Sequence, residues 1–75
     1  MSYLVKFRSR TNALKFYDSF INRGLRAVLI STQKHCGLSV RISSLAEAKH
    51  VLSLGGYSSF CGIYEIYGND LIKIY

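Results

Sequence analysis

Hydrophobic and polar residues alternate from the start of the chain. Over residues 3–8, Tyr3, Val5 and Phe7 share one parity while Leu4, Lys6 and Arg8 share the other, the two-residue period of a strand. The period changes after Ser9. Ala13, Phe16, Tyr17, Phe20 and Ile21 fall on one helical stripe over residues 12–23. Ser9 and Thr11 are candidate N-caps, and Gly24 supplies the left-handed residue that commonly ends a helix. Residues 25–31 (LRAVLIS) are short and apolar and read as a strand; residues 32–37 (TQKHCG) read as a turn. Over 38–43, Leu38, Val40 and Ile42 point inward and Ser39, Arg41 and Ser43 outward. Ser44 followed by Glu47 fits a capping box. It opens a second helix over 45–54, with Leu45, Ala48, Val51 and Leu52 on its apolar side, and Gly55-Gly56 stops it. Residues 57–61 lead into a strand over 62–67. Gly68-Asn69-Asp70 is a turn signal, and residues 71–75 form a final strand paired back on the previous one.

The order is strand, helix, strand, strand, helix, strand, plus one closing strand. It predicts an α+β fold: a ferredoxin-like βαββαβ sandwich with an extra C-terminal strand and two helices on one face of an antiparallel sheet. The first and third strands are expected in the centre. The 75 residues make a single domain over 1–75, with a thin core, because a chain of this size buries only about 60% of its unfolded surface.

Composition narrows the function. Ten Lys and Arg stand against four Asp and Glu, a net charge of +6, which favours acidic partners. The cations are scattered singly, with no polybasic block, and this argues against nucleic acid. No apolar run approaches the ~20 residues of a membrane span, and Lys6 and Arg8 interrupt the early apolar residues. A cytoplasmic protein with reduced Cys36 and Cys61 is expected. The four carboxylates, Asp18, Glu47, Glu65 and Asp70, fall on helices, an outward strand position and a turn, so no acid–base pair forms. There is no phosphate-cradling glycine loop and no zinc-ligand spacing; no metal or bound cofactor is required. Tyr64, Tyr67 and Tyr75 are expected as an aromatic patch on the open sheet face, or as partial core or a subunit interface. Ile72, Ile74 and Tyr75 hint at edge pairing into a homodimer.

The predicted topology brings three segments to one end of the sheet: Ser9–Asn12, Gln33–Gly37 and Ser58–Gly62. Cys36 then heads the third strand, with the first helix beginning above it. The helix start at Thr11 and Asn12 and the neighbouring Lys34 and His35 favour an anion there, the conditions that lower a thiol pKa. Gly37 allows a sharp turn that exposes the sulfur. In the rival reading Cys36 is a small buried apolar residue. Cys61, between Phe60 and Ile63 without charge, reads as packing, His35 as a solvated loop residue and His50 as exposed. Cys36 and Cys61 lie on strands flanking the first, roughly 9–10 Å apart, beyond the about 7 Å that a disulfide spans.

These residues carry a resemblance. The matches are Tyr3-Leu4, Phe7, Ser9, Ala13-Leu14, Gly24, Cys36-Gly37-Leu38 with Arg41, and Gly62-Ile63-Tyr64 with Ile66. With them the chain resembles the small bacterial selenium/sulfur carrier protein-like family, a domain family of unknown function. It departs from that pattern in a shorter loop before the cysteine, without proline or a serine run, in Lys34-His35 where small hydroxyl residues are common, and in a longer tail. The resemblance implies a ferredoxin-like fold and one functional cysteine, Cys36, carrying sulfur or selenium as a persulfide-type adduct. The expected function is thus a sulfur/selenium carrier, more an accessory protein than a stand-alone enzyme, whose partners are donor and acceptor proteins. The alternative is a non-catalytic binding or regulatory module, through dimerisation, a small ligand or RNA, with a structural cysteine.

Overall fold

The computed structural model describes residues 2–31 and 38–75. Seven elements follow one another: β1 (Ser2–Phe7), α1 (Arg10–Asn22), β2 (Ala27–Ser31), β3 (Leu38–Ile42), α2 (Leu45–Ser53), β4 (Phe60–Tyr67) and β5 (Asp70–Lys73). The strands form one sheet in the order β2-β3-β1-β4-β5, with every neighbouring pair antiparallel. The fold is α+β, a five-stranded antiparallel sheet with two helices. β1 holds the centre between β3 and β4. Each helix joins two strands that are separated by one other strand.

Local chemistry sets the helix limits. Ser9 Oγ accepts the Asn12 N–H at 3.3 Å, satisfying one of the free donors of the first turn. At the other end Gly24, at φ +76, lets its N–H reach Ile21 O and the Leu25 N–H reach Phe20 O, both at 3.0 Å, the paired closure of a Schellman motif. α1 buries Ala13, Phe16 and Phe20. Ile21, expected on the same stripe, is exposed, because the contact strip is narrower than the stripe and already half-buries Tyr17. In α2, Ser44 Oγ accepts the Glu47 N–H at 3.3 Å. The Glu47 carboxylate turns to Arg23 Nη1 at 4.0 Å, so only half of the expected capping box forms among the described residues.

The core is a ring cluster set on aliphatic strand residues. Phe16 lies 5.4 Å from Phe7 and 4.9 Å from Phe20 between ring centroids. Val5, Val40, Ile42, Ala48, Val51 and Ile63 close around them. Burying each large side chain stabilises the fold by roughly 1.5–3 kcal/mol.

Register sorts the remaining residues between two faces. Val5 pairs with Val40 and Ile63, which places these three on the helix side. Leu4 pairs with Arg41 and Tyr64 on the other side. Ser39, expected to face outward, is nonetheless buried, and so is Leu4 on the same face. Cross-strand neighbours cover them, Arg41 and Tyr64 beside Leu4 and Lys6 and Ile30 beside Ser39, since long side chains lay apolar stems over small neighbours. The expected tyrosine patch is not formed. Tyr64 alone occupies the open side. Tyr67 shares the parity of Ile63, and Tyr75 packs against Phe60 at 6.2 Å with Lys49 over its ring. Glu65 also shares the parity of Ile63, so it lies on the helix side instead of outward.

Candidate functional site at the rim of the sheet

One rim collects most of the chemistry that the sequence singles out. Phe7 ends β1 opposite Phe60, and Ser31 ends β2 opposite Leu38, the first residue of β3. Because Lys6 pairs with Ser39, all four strand ends lie at the same edge, where α1 begins.

Two of the converging segments are tied together by hydrogen bonds. Arg8 N–H donates to Ser59 O at 3.0 Å and Ser9 N–H to Ser59 Oγ at 3.1 Å. Ser59 returns two bonds to Asn12 Oδ1, from its N–H at 3.0 Å and its hydroxyl at 2.6 Å. The start of α1 is thereby fixed to the entry of β4. Sequence reasoning missed Ser59, because a serine in a polar loop carries no local signal for a partner 47 residues away.

Lys34, His35, Cys36 and Gly37 lie outside the described residues. Their segment is anchored at Ser31 and Leu38, both at this rim. Thr11 is exposed on the first turn of α1. Asn12 is half-buried. It commits its N–H to Ser9 and its amide oxygen to Ser59, which leaves the Nδ2 donors as what its side chain offers a ligand.

Cys61 corrects an expectation. The sequence around it reads as packing, yet it is exposed. The pairing steps from Lys6–Gly62 to Phe7–Phe60, so Cys61 is the extra residue of a bulge and turns away from the ladder. Its Sγ lies 3.5 Å from Ser59 O. Arg8, Ser58, Ser59, Phe60 and Cys61 line a hollow of about 530 Å³. The arrangement sets the Arg8 guanidinium and an accessible thiol in one hollow at the edge where α1 starts. Among the described residues no group of three His, Cys, Asp or Glu is placed to hold a metal. No helix among them is long and apolar enough to cross a membrane.

A second hollow, of about 540 Å³, lies between α2 and the C-terminal residues and is lined in part by Gly56, Tyr57 and Tyr75. Its one lysine is already engaged, with Lys49 Nζ 4.8 Å above the Tyr75 ring, and Lys15 on α1 holds its Nζ 4.9 Å above the Tyr57 ring. Compared with protein-family models, curated proteins and solved structures, the chain matches none.

Proposed function

We propose that this chain is a small carrier of sulfur or selenium, built on a ferredoxin-like arrangement in which β1 and β3 are inner strands and both helices cover one face. The observation that supports it is the position of the two anchors, Ser31 and Leu38, at the rim where α1 opens and Arg8 stands. It joins the resemblance carried by Cys36-Gly37-Leu38. In this reading the Cys36 thiolate attacks the terminal sulfur of a donor persulfide. A Cys36 S–S bond forms, the donor S–S bond breaks, and the donor leaves as a thiolate. An acceptor nucleophile then takes the terminal sulfur and restores the Cys36 thiolate, so no outside oxidant is needed. Lys34, His35, Thr11 and Asn12 stabilise the anion, and Gly37 gives access. Intact-mass analysis after incubation with a persulfide-loaded sulfurtransferase tests this. The Cys61→Ser protein gains one sulfur atom, and a Cys36→Ser protein gains none. Equal loading of both variants, or of neither, overturns the carrier.

A second reading, a non-catalytic binding module, is favoured by a different observation. No described element covers the sheet face opposite the helices.

A further inference from the structure

The ten cations are scattered along the chain, but strand parity sorts those on the sheet. Arg41, Leu4, Tyr64 and Lys73 are successive register partners across four strands, all on the face away from the helices. Lys6 lies in the next row, opposite Ser39 and Gly62. Its Nζ sits 4.7 Å above the Tyr64 ring. From the other side the Lys73 stem crosses Gly62, with Cε 3.0 Å from where a Cβ would stand and Tyr64 Cε1 3.5 Å from the same point. Tyr64 is therefore an aromatic ring with one ammonium group above it and the Lys73 stem close by.

No acidic side chain shares this face, and the Tyr75 main-chain oxygen, 3.2 Å from the same point over Gly62, is taken up by the Ile63 N–H. Glu65 and Asp70 occupy positions of the opposite parity, and Asp18 and Glu47 are on the helices. The only described ion pair, Arg23 with Glu47, lies between the helices. A face with cations and no acidic side chain repels a second copy of itself. It complements a flexible polyanion, whose repeated charges meet Lys6, Arg41 and Lys73 while a planar group lies on Tyr64. Proteins that bind single-stranded nucleic acid combine these two features, a cationic track and a stacking ring. A lysine parked over an aromatic ring, as Lys6 is over Tyr64, gives up that contact for phosphate at little cost.

We infer that the open face of the sheet binds single-stranded nucleic acid, with Tyr64 as the stacking ring and Lys6, Arg41 and Lys73 as phosphate contacts. This rests on the binding-module reading and requires nothing of Cys36.

Fluorescence anisotropy with a labelled oligouridylate of about 12 nucleotides tests it. Binding is expected at low salt. Three phosphate contacts at about 0.7 each give a log–log salt slope of about −2. Tyr64→Leu weakens binding about tenfold. Lys6→Glu and Lys73→Glu each weaken it as much, while Lys15→Glu on the helix side changes it less than about twofold. Circular dichroism establishes that each variant is folded. No binding at low salt overturns the inference. Binding that is indifferent to Tyr64→Leu and equalled by heparin overturns the nucleic-acid assignment while leaving a module for acidic partners. If Lys6→Glu and Lys73→Glu alter neither ligand's binding, the open face itself is excluded as the binding surface.

Discussion

Ser59 and Asn12, 47 residues apart in sequence, meet with the serine hydroxyl 2.6 Å from the amide oxygen. A second bond from the Ser59 N–H enters the same oxygen. One acceptor thus holds the loop before β4 against the first turn of α1. Asn12→Ala removes that acceptor and strands two donors in a half-buried place. A loss of about 1–3 kcal/mol is expected. Urea denaturation of Asn12→Ala, Ser59→Ala and the double variant measures it. Because the two residues share their bonds, the double variant loses less than the sum of the singles. Strict additivity would show that the tie is not a unit.

Phe16 is fully buried at the junction of Phe7, Phe20 and Tyr57. Phe16→Ala is expected to cost about 3–5 kcal/mol, comparable to the whole stability of so small a domain. The variant should lose its cooperative thermal transition, read by calorimetry, whereas Ile21→Ala on the exposed flank of the same helix should keep it.

Two glycines separate backbone strain from crowding. At Gly24, φ is +76 and a Cβ meets nothing within 4 Å, so Gly24→Ala costs only the left-handed conformation, about 1 kcal/mol, and Gly24→Asn costs less. At Gly62, φ is +148 and a Cβ stands 3.2 Å from the Tyr75 carbonyl oxygen, which accepts the Ile63 N–H. Gly62→Ala is expected to cost about 1–3 kcal/mol and to loosen residues 74 and 75. Amide exchange should show faster exchange at Ile74 in this variant and not in Gly24→Ala.

The Arg23–Glu47 pair, at 4.0 Å between partly exposed side chains, should contribute little. A double-mutant cycle is expected to give a coupling below about 0.5 kcal/mol that vanishes in high salt.

Cys61 is exposed on its bulge. It should react with a maleimide in the native protein at the rate of an unhindered thiol, and Cys61→Ser should remove that fast equivalent. Reaction of Cys61 only after unfolding would contradict the bulge geometry.

The elements themselves were legible because each depends on neighbours in sequence. The Val5–Phe7 alternation, the Phe16–Phe20 stripe, the serine caps and Gly24 act over a few residues, and the structure has them within two residues of the expected limits. The convergence of strand ends followed from element order. Three features did not follow. Ser59 has no local signature. Cys61 is exposed because the extra residue of a bulge depends on how β4 meets β1. The tyrosines part company because strand parity sends Tyr64 and Tyr67 to opposite sides, while the closing segment folds Tyr75 back onto Phe60.

By itself, then, the sequence determined which segments become strands and helices and where each stops, since periodicity, capping and positive φ are short-range effects. Which cations share a surface was decided only by the assembled sheet. Lys6, Arg41 and Lys73 are far apart along the chain and come to one face through antiparallel register, and the same register keeps every acidic side chain off that face.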